Sequence, residues 1–311
     1  MQSEQNYFAR VTAGLERLVW QDIERRCNAR LMSFGHRRID FAYGGTPATL
    51  LDLRGVDDIY VHAARLTGLD HTRASLARLT EKIAPLDLLP ALEVCAAVRP
   101  ISTAPTYRVT ASHLGRRNYS RYDVEGAVAA ALTGNLPWRF VLNDAEEQEP
   151  ELDLRVLLED DWALLGLRLG ELPLHRRAYK VASRPGSLKP PVAYCLGLLA
   201  ALAPSDVVLD PACGAGTILV EAAALVSSLT GLALPADCVY FGEISLSAAV
   251  RPVAHAIQRL KEAEKLGFGQ AVLPCGTEEL SSGIGANAFQ PATLTDLVIR
   301  IAGSKRAQAE D

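Results

Sequence analysis

The residues with the clearest chemistry run Val207-Val208-Leu209-Asp210-Pro211-Ala212-Cys213-Gly214-Ala215-Gly216-Thr217. An apolar, β-branched run ends in an acid and a proline. Two glycines follow, one residue apart, and Thr217 opens an apolar helical pattern through Ile218, Leu219, Val220, Ala222 and Ala223. This order predicts a buried strand, a tight loop and a helix. Side chains at Gly214 and Gly216 would hold the backbone away from a ligand. The helix start leaves free N–H groups aimed at the same point. In an open α/β sheet, ligands bind in the crevice beyond the carboxyl ends of the strands. The third glycine of a dinucleotide fingerprint and the Gly-Lys-Ser/Thr of a phosphate loop are absent. A carboxylate directly before the loop repels a pyrophosphate but suits a ligand with an ammonium group, as S-adenosylmethionine has. The bland alternative is a tight strand–helix turn with no ligand.

The elements that must position this loop follow from the rest of the chain. At 311 residues, two or three domains are expected. With 49% hydrophobic and 22% charged residues, the composition is that of a globular protein. No apolar run is long enough for a membrane span, and Met1-Gln2-Ser3-Glu4 does not open a signal peptide. Cys27, Cys95, Cys195, Cys213, Cys238 and Cys275 are scattered without a C-x-x-C pair, which argues against a metal site and a disulfide framework. A reducing cytoplasm is the expected compartment. Charge is unevenly distributed: residues 1–190 carry 25 Lys+Arg against 24 Asp+Glu, and residues 191–311 carry 7 against 12. Of the front cations 22 are Arg, which suits bidentate phosphate contacts and stacking but is equally a composition habit.

Strands are expected at 6–11, within 31–42 and at 59–66, with helices at 15–27 and 47–54. That β-α-β-α-β order predicts a ferredoxin-like half of about 70 residues. Residues 73–98 read as helical, broken by Pro85 and Pro90. A strand at 106–111, a basic aromatic loop, a helix at 123–132 and strands at 153–158 and 162–169 follow. Residues 144–151 form an acidic loop. The loop Arg116-Arg117-Asn118-Tyr119-Ser120-Arg121-Tyr122 and the later Leu174-His175-Arg176-Arg177-Ala178-Tyr179-Lys180 interleave cations with rings. Such residues contact phosphates and stack on unpaired bases. Arg116, Arg117, Arg121, Arg176, Arg177 and Lys180 are therefore the candidate RNA contacts, although each alone is equally an ordinary surface cation. His175 reads as structural. Residues 183–190 are a linker rich in turn formers, and a helix is expected at 192–203.

Behind the glycine loop, a helix is expected at 218–229, and Cys238 to Glu243 reads as the second strand, ending in an acid that can accept ribose hydroxyls. Glu243 is equally placed as an acid at a helix start. A helix at 245–266 and strands at 270–274 and 295–301 complete the expected order.

The Asp-Pro-x-Cys-Gly-x-Gly-Thr string resembles the first motif of class I, Rossmann-like methyltransferases that modify RNA. The strand, basic loop, Asp-Val-Glu helix, strand pair and Leu-His-Arg-Arg-x-Tyr together resemble a THUMP domain, an RNA-binding module of tRNA-modifying enzymes. The resemblance implies an α/β chain with a ferredoxin-like domain at 1–70, a THUMP-like α+β domain at 71–182, a linker at 183–190 and a partial methyltransferase sheet at 191–311. It implies S-adenosylmethionine as cofactor, held by Asp210, Cys213, Gly214, Gly216, Thr217 and Glu243, and methyl transfer to a guanine amino group of tRNA or rRNA. The family's Asn-Pro-Pro-Tyr motif, which holds the target amine, does not occur in residues 1–311, and Cys275-Gly276-Thr277 stands where an adenine-reading acid is expected. The alternatives are an RNA-binding protein that keeps the fold without the chemistry and, third, a nicotinamide oxidoreductase.

Overall fold

A computed structural model describes residues 4–133, 135–142, 149–180, 187–202, 217–230, 238–240, 243–244, 250–251, 256–265, 267–273, 275 and 288–292. The chain forms two compact units, Met1–Val181 and Ala182–Asp311.

The front unit begins with β1 (Gln5–Arg10), α1 (Glu16–Cys27), β2 (Arg30–Gly35), β3 (Arg38–Tyr43), a 3-10 turn (Pro47–Asp52) and β4 (Asp58–Thr67). It continues with α2 (Ala74–Ile83), α3 (Leu89–Ala96), β5 (Thr106–His113), α4 (Arg121–Thr133), β6 (Arg139–Phe140), β7 (Leu152–Glu159) and β8 (Trp162–Arg168). Helix α1 stops at Asn28, whose left-handed φ of 50° lets its N–H donate to the Glu24 carbonyl at 2.8 Å. Pro85 follows α2, as expected. Pro90 does not break a helix: it lies in the first turn of α3, where the missing N–H has no intrahelical partner to lose.

All eight strands share one sheet in the order β2-β3-β1-β4-β8-β7-β5-β6. No break in the sheet accompanies the expected division between residues 70 and 71, because β4 pairs with β1 on one side and β8 on the other. Period-two alternation gives the sheet two distinct faces. Tyr7, Phe41, Val61, Tyr107, Leu154 and Leu167 lie on one, and the helices pack there. Trp20 of α1 meets Phe41 at 6.4 Å, the Cys95 thiol of α3 reaches the Arg168 carbonyl, and the Tyr107 hydroxyl donates to Ala129 of α4.

The other face holds a small apolar cluster of Phe8, Tyr60, Leu157 and Leu164, all buried, with Phe8 stacked on Tyr60 at 5.0 Å. Gly166 is required beneath it: a Cβ there would press on the Phe8 ring and stand 2.7 Å from the Val61 carbonyl. Beside the cluster lies a buried ionic group. Arg168 Nε donates to Asp58 Oδ2 at 2.7 Å, and its other arm meets Asp153 Oδ2 at 3.1 Å. The Tyr60 hydroxyl donates to Asp58 at 2.9 Å, and Arg108 Nε donates to Asp153 at 2.9 Å.

In the rear unit, α5 (Pro190–Leu199) packs against α6 (Thr217–Thr230). Close approach is needed at Gly197, where a Cβ would lie 3.0 Å from Leu225. β9 (Cys238–Tyr240) runs parallel to β12 (Gln270–Val272), the pairing a Rossmann-like sheet requires. Phe289 continues the sheet, its N–H donating to Ala271 at 2.8 Å and its carbonyl accepting from Leu273 at 3.0 Å. Between them lie β10 (Glu243–Ile244), β11 (Val250–Arg251) and α7 (Ala256–Lys265). Leu260 and Ala263 of α7 bury against Ala271 and Leu273.

Two expectations for this stretch are corrected. The strand expected at 238–243 ends at Tyr240, and Glu243 instead pairs antiparallel with Arg251. Of the helix expected at 245–266, Ala256–Lys265 is helical, whereas Val250–Arg251 is strand. The extended backbone of Arg251 agrees with the bias that Pro252 places on the residue before it. The expected strands at 207–209 and 295–301, and residues 183–186 of the linker, lie outside the described residues.

Replacing Arg168 with Met would leave Asp58 and Asp153 buried without their shared cation. The front unit should lose about 3–5 kcal/mol, read as a lower urea midpoint.

Candidate cofactor and RNA sites

The glycine loop from Asp210 to Gly216 lies outside the described residues, so Asp210, Cys213, Gly214 and Gly216 have no placement here. Thr217 is the first residue of α6 and is 4% exposed. One turn later Glu221 is fully buried. The sequence reading did not single out Glu221. Its signal is a lone acid within the apolar run from Thr217 to Leu225, near a helix start that favours negative charge. A helix head with a buried hydroxyl offers N–H and O–H donors to the carboxylate of an amino-acid nucleoside. Glu243 is placed by its backbone alone, opposite Arg251 in the β10–β11 ribbon.

The candidate RNA residues fall into two groups. Arg117 points into the protein: its Nη1 donates at 3.0 Å to the carbonyls of both Leu69 and Asp70, and its Nη2 donates to Asp160 at 2.8 Å. It ties three loops together at one end of the sheet. Arg177 does the same elsewhere, donating to the Leu174 carbonyl and, at 2.6 Å, to that of Arg54. Nearby, His175 is anchored by its ring and its N–H to the Asp57 carbonyl, matching its structural reading.

Arg116 is exposed and borders an open cavity of about 420 Å³, formed with Asp70, His71, Arg117, Asp160 and Asp161. Asp70 is engaged in starting α2. It accepts from the Thr72 N–H at 2.8 Å, the Thr72 hydroxyl at 2.5 Å and the Ser75 hydroxyl at 2.8 Å, with the Thr72 bonds foremost in holding its carboxyl below the usual range. Arg121 lies 4.7 Å above the ring of Tyr122, which is 58% exposed. That pair presents a cation and a stacking surface together. Arg176 forms a 2.5 Å ion pair with Glu149, and Lys180 is half-buried after the turn that Arg177 begins.

Among the described residues, no group of His, Cys, Asp and Glu could hold a metal. Burial pushes the Cys95 thiol up to about 12, so it is not a nucleophile at neutral pH. No helix among the described residues is long and apolar enough to cross a membrane.

Comparison with known proteins adds the decisive finding. The model of the RMKL-like methyltransferase domain matches residues 177–265, which include the glycine loop and α6. These residues are similar to the methyltransferase domain of that family. The chain is also 35% identical over 161 residues to the tRNA (guanine(6)-N2)-methyltransferase of Thermus thermophilus, covering 51% of this chain and 44% of that one. It is 32% identical over 120 residues to the bovine U6 snRNA (guanine-N(2))-methyltransferase THUMPD2, covering 38% and 22%.

A third similarity is of another kind. The chain is 65% identical over 83 residues to the DNA repair protein RadA of Brucella abortus, covering 27% of this chain and 18% of RadA. The chain thus spans less than half the length of each of these relatives. Among solved structures, TrmN from Thermus thermophilus aligns with a TM-score of 0.58 at 23% identity, covering 87% of this chain and 79% of that one. SMU.472, a putative methyltransferase complexed with SAH, aligns at 0.54 and 16% identity, covering 97% and 74%. The chain therefore shares the fold of these structures, of the expected α/β, Rossmann-like class.

Arg117→Ala should lower stability by about 1.5–3 kcal/mol, since it removes charged hydrogen bonds to three carbonyls. Arg116→Ala should stay within about 0.5 kcal/mol. Thermal melts of the two variants separate a loop-tying arginine from a surface one.

Proposed function

We propose that this chain is an S-adenosylmethionine-dependent RNA methyltransferase whose target is the exocyclic amine of a guanine in tRNA or rRNA. The observation that carries the reading is the family match over 177–265, centred on a loop whose acid and glycines suit an ammonium-bearing nucleoside. The two guanine-N2 methyltransferase relatives support the substrate class, and the SAH complex of a fold neighbour supports the cofactor.

S-adenosylmethionine, when bound, supplies an activated methyl group on a sulfonium. Asp210 would pair with its ammonium group, Gly214 and Gly216 would let the backbone approach, and Cys213 and Thr217 would close the loop onto the head of α6. The buried Thr217 fits this role. Glu243 is the proposed acceptor of the ribose hydroxyls. Arg116, Arg121, Arg176 and Lys180 would face RNA, with Arg117 and Arg177 shaping the loops that present them. Catalysis of this kind is mainly positioning and needs no covalent intermediate on the protein. The alternative is an RNA-binding relative without methyl transfer.

A second reading has its own observation, the 65% identity to RadA. The RadA match spans 83 residues and the tRNA methyltransferase match 161, in a chain of 311. On this reading part of the chain is RadA-like.

Transfer of a tritiated methyl group to total RNA tests the enzyme: incorporation supports it, and RNA binding without incorporation supports the inactive relative. Calorimetry with SAH tests the cofactor contacts. Asp210→Ala should weaken binding at least about tenfold, the loss of a charge-assisted contact. Glu243→Gln should weaken it too if Glu243 holds the ribose, and leave it unchanged if Glu243 lies outside the cofactor site.

A further inference from the structure

The face of the front sheet opposite α1, α3 and α4 carries arginines from six strands: Arg10, Arg38, Arg65, Arg108, Arg155 and Arg168. Three of them are matched to acids. Arg168 meets Asp58 and Asp153, Arg108 meets Asp153 and Glu149, and Arg38 meets Asp40 and Glu159. Those contacts occupy the carboxylates that the strands present on this face. The other three meet no acid among the described residues. Arg10 donates once, to the His36 carbonyl at 3.3 Å. Arg155 donates once, to the Ser112 hydroxyl at 3.1 Å, and its Nε is buried with no partner. Arg65 is exposed and lies 4.1 Å over the ring of Trp162, which Arg38 approaches at 4.9 Å.

Guanidinium groups crowded over an apolar cluster repel one another. Burial, followed by the charge of Arg155, lowers the pKa of Arg10 to about 10. A polyanion laid across the face would relieve this repulsion and give the unused N–H groups an acceptor, and the forked guanidinium matches phosphate oxygens.

We propose that this sheet face binds the phosphate backbone of RNA through Arg10, Arg65 and Arg155. It is a second contact surface, separate from the Arg116–Tyr122 loop. The inference rests on the reading of the chain as an RNA-acting protein. The ring of Trp162, covered by Arg65 on the sheet surface, adds a flat face against which a ribose or an unpaired base can rest.

The test is filter binding of the full chain to a tRNA transcript across a salt series. Arg10→Gln with Arg155→Gln should weaken binding and reduce the slope of log K against log salt by about 2, one per lost phosphate contact. Arg30→Gln, at the sheet edge and paired with Glu4, should change neither. Arg155→Lys should keep the slope while lowering affinity, because charge remains and the fork is lost. If the double variant melts early, Arg65→Gln, an exposed position, gives the reading on its own, with a slope smaller by about 1. A wild-type chain that binds RNA, with variants of unchanged affinity and slope, overturns this inference alone. A wild-type chain that does not bind RNA overturns the RNA reading and this surface with it.

Discussion

The front unit depends on one buried cation. Arg168 stands between Asp58 of β4 and Asp153 of β7, with all three side chains at most 8% exposed. Burial raises the Asp58 carboxyl against the pull of Arg168. Charges this deep are tolerated only when their attraction and hydrogen bonds offset desolvation. Here the Tyr60 hydroxyl, the Ile59 N–H and Arg108 supply the extra bonds. The group fixes the register of β4 against β8 and β7 because a slip of one residue would turn its members to the opposite face. Two halves that sequence order would separate are thereby joined into one sheet, and the cation-bearing loops are held at its end.

Much of this was legible in the chain and some was not. Local signals predicted the alternating strands, the helix that buries Val19, Trp20 and Ile23, and the Asp-Val-Glu helix. They could not show that β4 joins β8, since that pairing lies between residues distant in sequence. Pro90 was read as a breaker because proline ends helices more conspicuously than it begins them. The β10–β11 ribbon that carries Glu243 has no signal in the apolar run where a helix is expected.

The candidate sites were legible as chemistry rather than as geometry. Arg116 and Arg117 are neighbours of one type, yet one is exposed and the other is bonded to three carbonyls. No composition argument separates them, because the difference lies in where β7 and β8 place the Asp160 turn. Glu221 was hidden for the opposite reason: an acid in an apolar run reads as solvated until its burial is known.

The pairing of Asp58 with Arg168 spans 110 residues. On a ribosome adding roughly 5–20 residues per second, β4 therefore waits about 5–20 s for its neighbour to be made. During that interval its free edge, with Tyr60 and Val61 uncovered, is open to other chains. A chaperone that shields nascent strands would matter most for this protein while residues 60 to 170 are being translated.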